Sequence, residues 1–330
     1  MTTISTIDLR SRFEGCILGL AIGDALGRPT EFLDSLEAIH ERFGPDGVTD
    51  LEPDWHPAGT YTDDTQMSLC VARALLSAGH RPLDELMPCL AEEFVAWNRS
   101  ADNDRAPGTT CRTGCEHLER GIPWREAGVA ESKGCGSAMR TAPIGLYYYD
   151  REEQLIKVAR ASSLPTHGHP VAQAAAAGTA LLVAWALRAE EPSEYPERLA
   201  RCMREQEGGE EVAALVERIP SLLNAPPDDV LRAGVLGEAW VGEGAVASAL
   251  YCFCRSPSDY RRTVLTAANT VGDSDSIACI AGAISGAFNG VEAIPEKWRG
   301  GVENAEFLRR IAADLLLARQ RHLDKRQPAR

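Results

Sequence analysis

Two acidic clusters, Thr62-Asp63-Asp64-Thr65 and Asp273-Ser274-Asp275-Ser276, each open an apolar stretch with helical spacing. An N-cap uses one side-chain oxygen, and acids in a first turn gain from the positive helix end, together about 1 kcal/mol. Taken singly, each cluster reads as an ordinary helix start. Taken together, they hold four carboxylates and four hydroxyls, more oxygen than two caps require. The acids left over must be solvated, paired or metal-bound, and few basic residues lie beside them. If the chain brings the clusters together, they form an all-oxygen pocket for one or two hard divalent cations. Mg²⁺ and Mn²⁺ favour that donor set of carboxylate, hydroxyl and water in octahedral array.

Other groups could join such a site. Asp24 ends the first apolar stretch, within Gly19-Leu20-Ala21-Ile22-Gly23-Asp24. An acid among Gly and Ala implies close backbone packing around a buried polar group that must find a partner. A helix-end hydrogen bond and a role supporting metal ligands both remain open for it. Glu31 follows Pro29 on a loop, where a single Glu is ordinarily solvated. The turn Gly134-Cys135-Gly136-Ser137 precedes a helical pattern, so its backbone N–H groups can face a phosphate. Gly-rich turns before helices are common, and alone this one says little. His167 and His169 share a turn but lack Cys or His partners at usable spacing. Packing or ligand stacking suits them better than zinc.

Helices must position these groups. Phe13, Ile17, Leu20, Ala21 and Ala25 form one apolar stripe, and Met67, Val71, Ala74 and Leu75 form another. Ile277, Ile280, Ala281 and Ile284 form a third. Alternating β-branched and aromatic runs are nearly absent, so the fold class is all-α. One compact domain is expected over 13–318, after an N-terminal arm (1–12) and before a polar tail (319–330) that frays. The charge-rich stretch 190–227 reads as a surface excursion carrying a helix near 210–218. Val171–Leu187 is Ala-rich and short of the ~20 strongly apolar residues of a membrane span, so it reads as a buried helix.

Composition narrows the classes further. At 330 residues, 44% hydrophobic and 25% charged, the chain can bury a substantial core. A net charge of −14 without a Lys/Arg-rich window argues against a nucleic-acid partner. The start, MTTISTIDLRSRFEG, has no cationic segment before an apolar run, so no secretory signal is expected; with Val171–Leu187 read as a buried helix, no membrane partner is expected either. The ten cysteines are scattered without a C-x-x-C pair. They imply no structural zinc, and a reduced cytoplasm is the simplest compartment.

In order along the chain, these pieces resemble the ADP-ribosylglycohydrolases, including the dinitrogenase-reductase-activating type and the ADP-ribosylarginine hydrolases. The matching segments begin with Gly15-Cys16-Ile17-Leu18-Gly19 through Asp24 and Gly27, Pro29 with Glu31, and Thr62-Asp63-Asp64-Thr65. They continue with Pro107-Gly108-Thr109-Thr110, Gly134 to Arg140, Thr166-His167, Gly242-Glu243 and Gly272 to Ser276. The resemblance implies a compact all-α fold around two Mg²⁺ or Mn²⁺ ions. Thr62, Asp63, Asp64 and Asp275 would hold one ion; Asp273, Asp275 and Ser276 would hold the other, with Asp275 bridging. Glu31 would sit on a mobile loop beside them as ligand or proton-transfer group, making Glu31, Asp64 and Asp275 the implied catalytic acids. Gly134, Gly136, Ser137 and Met139 would line a diphosphate groove, with Gly108 on the substrate side and His167 toward ribose or adenine.

Four positions depart from the family pattern. Ser274 and Ser276 stand where Thr is commoner, Cys135 replaces the Asn of a Gly-Asn-Gly turn, and Ala106 occupies a position where some members carry Asp. The implied activity is removal of ADP-ribose from modified protein side chains, through an oxocarbenium-like state that carboxylates stabilise. The expected partners are therefore an ADP-ribosylated protein and ADP-ribose. ADP-ribosyl-arginine is the favoured linkage, because an acidic rim would attract a guanidinium; Asp104 and Glu243 are candidates for that contact, or else plain surface acids. The alternatives are an O-linked substrate such as ADP-ribosyl-serine, an immunity protein acting against an ADP-ribosylating toxin, and a non-catalytic crystallin-like relative. Intact ligand acids favour the enzyme.

Overall fold

The computed structural model describes residues 6–324. Among the described residues there are helices and no strand, with two isolated bridges, Val129 to His167 and Gly134 to Val241. The expected all-α class is what the chain adopts.

The centre is a pair of helices from opposite ends of the chain, Thr6–Gly27 and Ser274–Asn289. Gly15, Gly19, Gly23 and Gly27 recur every fourth residue, so they fall on one face of the first helix. On the second helix that face meets Gly286, Gly282, Ala278 and Asp275. A Cβ on Gly19 would lie 2.4 Å from Gly282 O, and one on Gly23 would lie 2.0 Å from Ala278 O. The two backbones therefore touch where most helix pairs interpose side chains. This contact carries function, because the same glycine row ends at Gly27 against Asp275 Cα. Gly19→Ala is expected to lower stability by about 1–3 kcal/mol in denaturant unfolding, as overpacking does. A variant as stable as the parent would show that the contact is loose.

Around this pair pack Asp63–Ala78, Pro170–Leu187, Gly242–Arg255 and Tyr260–Ala268. Pro170–Leu187 is buried except at Pro170 and Gln173, as expected of the Ala-rich segment, and could pass for a membrane span by length and composition alone. The stretch 190–227 differs from expectation. It forms the helices Tyr195–Arg204, Glu210–Val216 and Ile219–Leu222, which send Leu199, Met203, Val212, Val216 and Ile219 into the core. Its charges mask an amphipathic pattern, because Arg and Glu occupy only the outer faces.

Both chain ends also depart from expectation. The first helix starts at Thr6, inside the stretch read as an arm; residues 1–5 lie outside the described residues. The last helix, Ala305–Asp324, runs into the stretch read as a frayed tail, because Arg319 is buried against Asp150. Residues 325–330 lie outside the described residues.

Candidate metal centre

Thr62 caps the helix Asp63–Ala78, its hydroxyl accepting from Asp64 N–H. That leaves both aspartates of the first cluster without a capping duty. Asp24, fully buried, binds this turn from below: its carboxylate accepts from Thr62 N–H (2.8 Å), Thr65 N–H (3.0 Å) and Thr65 Oγ1 (2.5 Å). Of its two open readings, Asp24 thus supports the acidic cluster. Asp63 accepts from Gly108 N–H at 3.2 Å, which ties the Gly108 loop to the site. Asp64 Oδ2 is buried with no hydrogen-bond partner.

The second cluster is not an ordinary cap. Gly272 adopts φ +99°, a conformation that favours glycine, and a Cβ there would lie 2.3 Å from Glu238 O. This turn places Asp273 at the N-cap position, yet its side chain makes no capping bond. Instead Asp273 Oδ2 accepts from Cys135 Sγ–H at 2.7 Å. Ser274 donates to Gly27 O and serves the helix pair, whereas Ser276 faces the cleft. Glu31 is a buried acid and not a solvated loop residue. The turn before it is anchored by Arg28 on Asp54 and by Thr30 Oγ1 on Ala268 O. Carboxylate oxygens of Glu31, Asp273 and Asp275 all lie within 4.8 Å of one another.

Burial and mutual repulsion push every one of these acids upward. Glu31 rises to about 11, by burial and then by Asp275 and Asp273. Asp63 rises to about 8, chiefly by burial, and Asp24 to about 7, by burial and Asp275. Asp64 and Asp275 rise well above the carboxylate range from burial, with Asp275 and Asp273 respectively as the leading charges. Burial likewise raises Asp273. Acids this crowded call for an added positive charge. The orphaned Asp64 Oδ2 and an all-oxygen donor set fit a hard divalent cation.

The cleft over this cluster measures ≈ 190 Å³. Among the residues expected in the site, it is lined by Glu31, Asp63, Asp64, Asp273, Asp275 and Ser276 below, and by Gly108, Gly134, Gly136, Met139 and His167 around. The two isolated bridges place that upper wall: Val129 N–H donates to Thr166 O beside His167, and Gly242 N–H donates to Lys133 O beside Gly134.

Four residues expected in the site do not line the cleft. Thr62 spends its hydroxyl on the Asp64 N–H cap. Ser137 is fully buried with its hydroxyl donated to Ala172 O, because the short 3₁₀ turn Cys135–Ser137 directs it into the core. Asp104 stands exposed near Arg105 and His56. Glu243 is held by Lys133 at 3.4 Å, a lysine that also pairs with Glu211. Neither candidate guanidinium contact lines the cleft. Conversely, Trp240 lines the cleft with 46% of its surface exposed. The only signal for it in the sequence is an aromatic residue shortly before Gly242-Glu243.

The chain matches the family model described as ADP-ribosylglycohydrolase over residues 5–325. It is 32% identical to ADP-ribosylhydrolase ARH3 of Bos taurus, over 90% of each chain. It is 26% identical to ADP-ribosylarginine hydrolase Tri1 of Serratia proteamaculans, over 92% of this chain and 78% of that one. A solved structure described as an ADP-ribosylglycohydrolase-related protein complex superposes with a TM-score of 0.76 at 28% identity, covering 95% of this chain and 99% of the other.

Proposed function

This chain belongs to the ADP-ribosylglycohydrolase family, and on that premise we propose that it releases ADP-ribose from modified protein side chains with the help of two Mg²⁺ or Mn²⁺ ions. The observation that carries this reading is the convergence of chain-distant acids, one with an orphaned oxygen, beneath a glycine-walled cleft. Thr62, Asp63, Asp64, Asp273, Asp275 and Ser276 would hold the ions. Bound cations would supply charge for the diphosphate-bearing substrate and orient ribose hydroxyls. The chain's own groups do the rest. Asp24 and the Thr62 cap hold the first pair of acids in register. Glu31, whose carboxylate lies within 4.8 Å of those of Asp273 and Asp275, would exchange a proton with the leaving side chain or with water. The open turn at Gly134 and Gly136 admits the backbone of a diphosphate.

We assign arginine as the leaving side chain on similarity to a relative named for that linkage. A specific observation favours a second reading, an O-linked side chain. Asp104 and Glu243, the acids proposed for a guanidinium, do not line the cleft. Incubation with arginine- and serine-ADP-ribosylated proteins, with and without Mg²⁺, tests both. Metal-dependent release of ADP-ribose from the arginine substrate is expected; release from serine alone would move the assignment to O-linked substrates, and release from neither would end the hydrolase reading.

Trp240 offers an aromatic face at the mouth, suited to stacking on adenine. Trp240→Ala is expected to weaken ADP-ribose binding roughly tenfold, since base–aromatic stacking contributes ~1–3 kcal/mol. Unchanged affinity by calorimetry would place the adenine elsewhere.

A further inference from the structure

Arg140 is a fully buried cation whose hydrogen bonds go to neutral groups. Its Nη2 donates to Ser162 O and to Thr166 Oγ1, each at 2.8 Å, and its guanidinium lies 4.4 Å from the Phe94 ring centroid. Thr166 Oγ1 in turn stands 2.8 Å from His167 Nδ1 and 3.4 Å from Ser163 O. A threonine hydroxyl has one proton to give and two lone pairs. Two arrangements satisfy the short contact. In the first, Thr166 O–H donates to Nδ1, and the ring proton sits on Nε2. In the second, Nδ1–H donates to Thr166, whose own proton must then reach Ser163 O.

The distances decide between them. An O–H···O bond spans ~2.5–3.0 Å, so 3.4 Å to Ser163 O is a poor destination for the proton. Charge acts the same way. A hydroxyl already accepting from a guanidinium is polarised toward donating and is a weaker acceptor for a second N–H. Burial and Arg140 together push the His167 ring down to about 3, so the imidazole is neutral.

The Nε2 edge of that ring lies against the glycine turn. A Cβ on Gly134 would lie 3.0 Å from His167 Nε2, and one on Gly136 would lie 3.3 Å away. Because both residues are glycine, Nε2 faces the cleft beside the turn.

We propose that Arg140 and Thr166 fix His167 as its Nε2–H tautomer, giving the cleft a permanent neutral donor for an oxygen acceptor of ADP-ribose. Arg140 and Thr166 act as positioning residues, since neither lines the cleft. The tautomer stands on the Thr166 contact distances, with the ring neutral; only the identity of the acceptor rests on the proposed function.

The test uses the full chain with Mg²⁺ and reads the histidine ring nitrogens by ¹⁵N NMR, with the His167 signals identified by their loss in His167→Gln. The expected spectrum shows protonated Nε2 and unprotonated Nδ1. Thr166→Val should shift the ring toward a tautomer mixture and weaken ADP-ribose about tenfold by calorimetry, a ratio set by one lost hydrogen bond. Thr166→Ser should restore both. An Nδ1–H ring in the parent protein would overturn the proposal even if Thr166→Val fails to fold. A folded Thr166→Val protein with parental tautomer would remove the positioning role, and one with parental affinity would remove the donor role. Absent hydrolysis with an Nε2–H ring and Thr166-dependent ADP-ribose binding would leave this proposal standing and end the enzymatic one.

Discussion

Asp275→Asn is expected to cut ADP-ribose release by roughly a thousandfold or more, beyond the ~10–100-fold typical of groups that only support a metal ligand. The reason is its place at the centre of the charge distribution. Asp275 is the leading charge raising Asp24, Glu31, Asp63 and Asp64 alike. It also shares a 4.8 Å neighbourhood with Glu31 and Asp273. Removing its charge would alter the electrostatics of all of these acids at once. Asp63 already has a hydrogen-bond donor in Gly108 N–H, which offsets part of its charge. Asp63→Asn should therefore be damaging but milder, and Asp24→Asn, acting through Thr62 and Thr65, milder again. Rates measured at saturating Mg²⁺ check the order. Equal, mild losses for Asp275→Asn and Asp63→Asn would show that the acids do not form one centre.

Asp64→Asn should have opposite effects on stability and on function. With the metal chelated, Asp64 is a buried acid whose Oδ2 has no partner, and its pKa lies well above that of an exposed carboxylate. The folded state then binds protons that the unfolded state releases at neutral pH, so these acids favour folding only at low pH. Stability of the chelated protein should fall as pH rises from about 4, with losses continuing through about 7 for Asp24, 8 for Asp63 and 11 for Glu31. Asn at position 64 removes one such burden, and the chelated variant should gain about 1–3 kcal/mol at pH 8. Mg²⁺ at a hundred times its dissociation constant should raise the stability of the parent by about 2.7 kcal/mol and that of the variant by far less. Thermal unfolding in chelator and in Mg²⁺ makes the comparison. A variant less stable than the parent in chelator, or one equally stabilised by Mg²⁺, would remove Asp64 from the ligand set.

Much of the site is legible in the sequence. The four aspartates, their helix starts and the apolar stripes behind them depend on local composition and period, which a single chain displays directly. So do the glycines at 15, 19, 23 and 27, whose four-residue spacing marks one helix face even when the partner is unknown. The burial of the Ala-rich helix follows from composition as well. Charge misleads at 190–227 and at the C-terminal end, where Arg and Glu cover the outside of amphipathic helices that still reach the core.

Which groups share one point in space is a different kind of fact. Glu31 has the local setting of a solvated loop acid, and is buried only because Arg28 and Thr30 anchor the preceding turn to Asp54 and Ala268, partners that no local pattern announces. Ser137 and Gly136 are neighbours in sequence, yet the glycine opens into the cleft while the serine hydroxyl is turned to Ala172 O. Trp240 enters the cleft, and Asp104 and Glu243 leave it, through loop packing and ion pairs across the surface. Residue types and short-range period determined the donors, the helices and their faces. The tertiary structure decided which donors converge, because side-chain direction and long-range contacts depend on how chain-distant segments pack, a choice that local spacing does not encode.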